Sequence, residues 1–134
     1  ARPSDPLRRS LYLLCRRNYQ LTELDVFDQP TVAHNCTRRD SSAVVLQSLA
    51  MLNGPFVMQQ SRRFAERVRR EAGADRTRRI DLSFRLALGR PATLAERPVV
   101  EQFLERHAAS TSIDLAVDHL CHMLLNTNEF LYVP

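Results

Sequence analysis

The sequence predicts an all-α domain, or nearly so, with about five helices around one core and a long ordered loop between the first and second helices. Two observations support this prediction. Apolar residues recur every three or four positions along most of the chain, and capping residues, Gly or Pro separate these periodic stretches. A chain of 134 residues, 44% of them hydrophobic, also has enough apolar surface for one core. We therefore expect residues 1–134 to fold as a single helical domain.

The first helix is predicted to begin at Ser4 or Asp5, which are capping residues, with Pro6 in its first turn. Three leucines then share one helical face: Leu7, Leu11 and Leu14. The apolar run from Leu11 to Cys15 also fits a buried strand, so both possibilities stay open for this element.

The stretch from residue 18 to residue 41 has neither helical nor alternating periodicity and is predicted to be the long loop. Loops longer than about 12–15 residues inside a compact domain usually either carry function or belong to a larger partner surface. We expect the part from Phe27 to Asp40 to form the functional or inter-domain surface. Four charged residues are predicted to anchor it: Asp28, Arg38, Arg39 and Asp40. Replacing Arg39 by Ala is expected to impair partner docking or the order of the loop more than replacing the exposed Arg67.

The second helix is predicted to start at Ser41 or Ser42 and to end at Asn53, where Gly54 and Pro55 begin the next one. Three of its apolar residues share a face that is expected to join the core: Val45, Leu49 and Leu52.

The third helix is predicted to run from Phe56 to about Glu71. Its inward residues are expected to be Val57, Phe64, Val68 and Ala72, and its outward residues Arg62, Arg63, Glu66, Arg67 and Arg70. Glu66 and Arg70 are four positions apart, a spacing that stabilises an exposed helix. A solvated charged face therefore explains these arginines without a ligand.

The fourth helix is predicted to run from the cap Asp75 to Leu88, where Gly89 and Pro91 stop it. Its apolar residues lie on two opposite sides: Ile80, Phe84 and Ala87 on one, Leu82 and Leu86 on the other. Such a helix is expected to be central, covered from both directions.

Thr93 and Glu96 have the spacing of a reciprocal capping box, although Pro98 should kink the following helix or delay its start. Its apolar stripe is predicted to be Val99, Val100, Phe103 and Leu104.

The last helix is predicted to open near Ser112, with Ile113, Val117, Leu120 and Leu124 on one side. The apolar tail at residues 130–133 is expected to dock on the core.

His119, Cys121 and His122 are metal-ligand residue types on this last helix. At 100° per residue, His119 and His122 lie about 60° apart, whereas Cys121 lies about 160° from His119. One ion cannot easily bind all three. The haem-attachment motif is also incomplete, because Asp118 stands where its first Cys should be. We expect a half-buried Cys121 beside a surface pair of Asp118 and His122.

The predicted loop contains two more metal-ligand types, His34 and Cys36, without the paired spacing of a metal site. The chain has only three glycines, far apart, and therefore no phosphate-binding glycine loop. We predict no metal ligand and no cofactor-binding residue in this fragment.

Three carboxylates of the loop are candidates for acid–base catalysis: Asp25, Asp28 and Asp40. The simpler interpretation is that Asp28 and Asp40 bind Arg38 or Arg39 and hold the irregular loop together. We therefore predict no catalytic residue.

The net charge of +4 comes entirely from arginine, since the chain has no lysine. The arginine pairs are scattered along the chain rather than gathered, which makes nucleic-acid or polyanion binding the less favoured interpretation. No run approaches the length of about 20 apolar residues that a membrane-spanning helix needs.

Four blocks of sequence carry a family resemblance: Arg8–Tyr12; Phe27–Pro30 followed by Cys36–Arg39; Leu46–Asn53; and Leu124–Phe130. In this order they resemble the C-terminal part of a planctomycete-type domain of unknown function, found in large exported proteins that often carry a c-type cytochrome module. The resemblance implies an extracytoplasmic location, periplasmic or at the cell surface. It also implies a fragment of a larger multidomain protein, with other domains of the same polypeptide, including a c-type cytochrome module, as partners.

The sequence therefore favours a non-catalytic structural or interaction module. One alternative is the C-terminal fragment of an enzyme, acting on carbohydrate, whose site is completed by upstream sequence. That enzyme would require a deep cleft lined by Asp25, Asp28 and His34. The other alternative is an Arg-rich domain that binds a polyanion or a nucleic acid, which would require a continuous arginine surface.

Overall fold

The structure is a computed structural model that describes residues 26, 27 and 44–132, with only the backbone of Val44. Within these residues the chain contains six helices and no strand, which confirms the all-α prediction. They are α1 (Val44–Asn53), α2 (Pro55–Ala72), α3 (Arg76–Leu88), α4 (Glu96–Ser110), α5 (Ile113–Leu125) and α6 (Asn128–Leu131). The predicted first helix and nearly all of the long loop lie outside the described residues. The chain divides into units of residues 1–47 and 48–134, and the packing below is that of the second unit.

Polar side chains cap the helix starts as the sequence predicts. The carboxylate of Asp75 accepts a hydrogen bond from the backbone N–H of Arg78 at 3.2 Å, which starts α3. The hydroxyl of Ser112 accepts one from Leu115 at 3.2 Å and starts α5. These contacts satisfy backbone donors that have no partner within the helix.

The start of α4 combines a capping box with a proline. The backbone N–H of Thr93 donates to Glu96 at 2.8 Å, and the N–H of Glu96 donates to the Thr93 hydroxyl at 3.2 Å. Arg97 makes the first helical bond, to the Thr93 carbonyl at 3.0 Å. Pro98 has no N–H for the next bond, and α4 accordingly begins only at Glu96. The delayed start expected from Pro98 is confirmed.

Two glycines end helices for different reasons. A Cβ atom at Gly54 would lie 2.3 Å from the Ala50 carbonyl oxygen, which the Gly54 N–H already binds at 2.7 Å. Gly89 closes α3 in the left-handed conformation, with φ of 73°, which other residues rarely adopt.

Helix α5 is the centre of the core. Five of its residues are buried: Ala116, Val117, Leu120, Cys121 and Leu124. It packs against α2, α3 and α4, and the contributions of these three helices include the fully buried Val68, Ile80 and Leu104. The prediction that α3 is the central helix is wrong. Its second apolar side, which includes Leu82 and Leu86, is only partly buried, because helices α2, α3 and α4 pack around α5 instead.

The outer face of α2 and the C-terminal tail differ in detail from the prediction. On α2 the ion pair four positions apart joins Arg67 to Glu71, at 2.8 Å, instead of Glu66 to Arg70. The tail forms the one-turn helix α6, capped by Thr127, which contacts α3 and α5. Phe130 nevertheless remains partly exposed, so the tail covers the core only in part.

Candidate interaction surface and charged network

The predicted loop anchor, Asp28 with Arg38, Arg39 and Asp40, lies outside the described residues, as do Asp25, His34 and Cys36. Its role as the inter-domain surface stays a prediction. Of this segment the structure describes only Val26 and the exposed Phe27. The candidate surfaces described below lie within residues 44–132.

The structure separates His119, Cys121 and His122. Cys121 is fully buried, His119 is exposed, and the Nε2 atom of His122 lies 3.3 Å from the Met51 carbonyl oxygen. Asp118 binds Arg69 of α2 at 2.6 Å, so the predicted pair of Asp118 and His122 is wrong. Cys121 is also more buried than predicted, because its side chain points from α5 into the core. Among the described residues, no group of three or more His, Cys, Asp and Glu side chains could hold a metal ion.

Burial governs the chemistry of Cys121. It raises the pKa of the thiol to about 12 from an ordinary value of 9.0, and a hydrogen bond with Ser83 offsets part of that rise. The thiolate is the nucleophilic and metal-binding form of cysteine. Cys121 is therefore a small apolar side chain of the core at neutral pH.

Ion pairs tie the arginines of the second unit to its helices. Arg69 and Arg79 bind Asp118 and Asp114 of α5, at 2.6 and 3.3 Å, and Arg97 of α4 binds Asp81 of α3 at 2.5 Å. Seven of the twelve arginines within residues 44–132 make ion pairs: Arg67, Arg69, Arg70, Arg76, Arg79, Arg90 and Arg97. Most of this basic charge is therefore matched by carboxylates of the same chain.

Arg90 forms a junction of three helices immediately after the cap of α3. Its guanidinium donates to both oxygens of Glu96 at 2.8 Å and to both oxygens of Glu129 at 2.7 Å. It also lies over the Phe84 ring, 5.8 Å from the ring centre. The Arg90 hydrogen bonds, followed by those of Thr93, lower the pKa of Glu96 to about 2, and Arg90 likewise lowers the pKa of Glu129. The junction links the end of α3 to the start of α4 and to α6, a role that local sequence did not indicate.

A groove of about 340 Å³ lies beside α3. Its lining residues are Glu71, Ala72, Arg78, Asp81, Leu82 and Arg85. Arg78 and Arg85 make no ion pair with the described residues, but the groove is also lined by two acidic residues, Glu71 and Asp81. The groove is therefore not part of a continuous arginine surface.

Helix α1 has exposed apolar side chains in each of the two units. In the second unit they are Leu49 and Leu52, here called the α1 stripe, which are 54 and 55% exposed; in the first unit Val45 and Leu46 are 75 and 60% exposed. The face expected to join the core is therefore exposed, and Met51, at 8%, is the buried residue of the helix. No charged residue occurs from Ser41 to Ser61. The sequence could have revealed this surface, because a run without charge is unlike the charged, solvated face of α2.

Among the helices of residues 44–132, none has the length and apolar character that a membrane-spanning segment needs. No curated protein and no solved structure matches the chain. The family PSD1, described as a protein of unknown function (DUF1553), matches residues 1–104, which include three of the four blocks of the resemblance. The block Leu124–Phe130 lies beyond the matched range. The match covers more than half of the chain, and the chain therefore belongs to this PSD1 family of unknown function.

Proposed function

We propose that this chain is a non-catalytic structural or interaction module of an exported multidomain protein, and that it docks through the α1 stripe against another domain of the same polypeptide. The observation that supports this proposal is the exposure of Leu49 and Leu52, each by more than half, on a helix without charged residues. Large apolar patches on a folded domain usually mark interaction surfaces.

The chemistry of the stripe favours an apolar partner surface. A charged partner would lose its hydration against residues 41–61 without gaining an ion pair, and an unpaired buried charge is costly. Full burial of a single Leu side chain contributes about 1.5–3 kcal/mol. The two leucines of the stripe lie on one helix, and together they can supply a useful part of a docking energy. The resemblance adds a specific candidate for the partner, a c-type cytochrome module of the same protein.

The arginines do not favour the alternative of polyanion binding. At seven of the twelve arginines within residues 44–132, a polyanion would have to displace a carboxylate, such as Asp118 or Glu96, that the guanidinium group already binds. The enzyme alternative depends on Asp25, Asp28 and His34, and nothing in residues 44–132 supports it.

Hydrogen exchange tests the proposal. We expect the amides of α1 to exchange more slowly when the chain is joined to the neighbouring domains of the proposed longer protein than when it is alone. Leu49→Glu should abolish this protection, because it buries a carboxylate in the apolar interface. The matched control is Leu94→Glu, since Leu94 is 94% exposed in the turn before α4 and should tolerate the charge.

Equal exchange of α1 in the long and short proteins would contradict docking through this surface. Equal loss of protection in the Leu49 and Leu94 variants would show a general effect of charge instead of a local interface. The exported location is tested independently, by fractionating cells of the native host and detecting the protein outside the cytoplasm.

A further inference from the structure

Two histidines from adjacent helices lie next to each other on the surface of the second unit. The ring centres of His107 on α4 and His119 on α5 are 5.1 Å apart, and the ring planes meet at 82°. His107 is half-buried and His119 is exposed, so solvent reaches the pair. This pairing differs from the cluster of His119, Cys121 and His122 that the sequence suggested, since it joins residues 12 positions apart across a helix–helix contact.

The separation of the ring centres is that of two imidazoles bound to one ion, and the exposed His119 ring would turn from its present edge contact to bring a nitrogen to that ion. A zinc–nitrogen bond is about 2.0–2.1 Å long and the angle between two tetrahedral ligands is about 109°, which puts the centres of two coordinated imidazole rings about 5 Å apart. The observed 5.1 Å matches this separation. Imidazole is a preferred ligand of divalent zinc, copper and nickel.

The surroundings hold His107 in place. The His107 ring stacks on Phe103, with ring centres 4.7 Å apart. The His107 carbonyl accepts hydrogen bonds from both the backbone N–H and the hydroxyl of Thr111, each at 2.9 Å, which fixes the last turn of α4. Leu104 and Leu120 are both fully buried in the common core of α4 and α5. The two rings are thus carried by packed helices, and binding would require little rearrangement of the backbone.

We propose that His107 and His119 form a two-histidine surface site for a divalent transition-metal ion of the zinc class. The protein supplies two ligands, and water or a ligand from a partner occupies the remaining coordination positions. Such a site is open rather than structural. It is independent of the docking proposed for the α1 stripe, because its residues lie on other helices.

The test is a titration of the full 134-residue chain with Co²⁺, a paramagnetic substitute for Zn²⁺, followed by NMR. We expect the signals around His107 and His119 to change first, and Zn²⁺ to compete with Co²⁺ for the same residues. His107→Gln and His119→Gln should each weaken this binding by about tenfold or more, because each removes one of two protein ligands. The matched control His122→Gln should leave the affinity unchanged, since His122 contacts the Met51 carbonyl instead.

Two results would overturn the proposal: unchanged Co²⁺ affinity in His119→Gln, or first signal changes at residues away from α4 and α5. Either result would mean that the histidines make only an edge-to-face ring contact. Circular dichroism checks that each variant is folded. Because His119 is exposed, its replacement should leave the fold intact. The His119 variant therefore tests metal binding even if the His107 variant loses structure.

Discussion

Helices α1 and α5 are both rich in apolar residues, but the structure places their apolar faces in different environments. Five residues of α5 are buried, whereas Leu46, Leu49 and Leu52 of α1 remain at least half exposed. Apolar spacing therefore identifies which residues share a helical face, but it does not identify what covers that face. Coverage depends on the helices that pack against it, and α5 lies among α2, α3 and α4.

Charge also distinguishes the two helices. Two aspartates of α5, Asp114 and Asp118, bind arginines of α3 and α2, which orients the central helix within its neighbours. Helix α1 has no charged residue. Its described tertiary contacts include the buried Met51, whose carbonyl meets His122 of α5. The chain thus combines an apolar centre fixed by ion pairs with an apolar helix that retains an exposed face.

The largest expected difference is in stability. Leu120→Ala removes a side chain that is 1% exposed and should lower the free energy of unfolding by about 2–5 kcal/mol, because it leaves a cavity in the core. Leu49→Ala on the α1 stripe should change it by no more than about 0.5 kcal/mol. Urea unfolding of both variants measures the difference. A cost at Leu49 equal to that at Leu120 would mean that the α1 stripe is already covered within this chain.

Thiol reactivity gives a second comparison. A rise in the pKa of Cys121 from 9.0 to about 12 lowers its thiolate fraction about a thousandfold near neutral pH, and burial further restricts access. A cysteine introduced by Leu52→Cys on the α1 stripe should react rapidly, while Cys121 reacts only after unfolding. Alkylation followed by peptide mapping separates these sites from Cys15 and Cys36. Fast labelling of native Cys121 would show that the core around α5 opens readily.

The cap of α5 should have a smaller effect. Ser112→Ala removes the side-chain acceptor of the Leu115 N–H and should cost about 0.5–2 kcal/mol. Ser110→Ala is the matched control, because the exposed Ser110 hydroxyl only donates to a carbonyl at the end of α4. Urea unfolding gives the cost of each change, and amide exchange should increase in the first turn of α5 more than in α1. Equal costs for the two serines would argue against the cap.

At the Arg90 junction acid should have the smallest effect of these changes, because both carboxylates there are partly exposed to solvent. The pKa of Glu96 is lowered from 4.5 to about 2 in the folded chain, so its contribution to stability is complete above about pH 4.5 and is lost as the pH falls toward 2. In this range α6 should become less protected, while α1 has no ionisable side chain to respond. NMR titration of the Glu96 carboxyl measures the pKa, and Arg90→Gln should return it toward 4.5. An unchanged Glu96 pKa in that variant would contradict the role of Arg90.

Local signals predicted much of the secondary structure. Asp75, Ser112 and the box of Thr93 and Glu96 marked helix starts correctly, because capping uses neighbours in sequence. The loop anchor of Asp28, Arg38, Arg39 and Asp40 lies outside the described residues and stays a prediction. The partner of Asp118 was predicted wrongly: His122, four positions away, was expected, whereas Arg69 binds it across 49 positions.

The sequence by itself determined the helical class, the helix caps and the residues that share a helical face, because these depend on contacts within about one turn of the chain. Only the tertiary structure decided which face was buried, which carboxylate each arginine binds and which histidines meet. These partners are far apart in the sequence: Arg90 and Glu129 by 39 positions, and His107 and His119 by 12. Their contacts arise from the packing of helices around α5, which no short segment specifies.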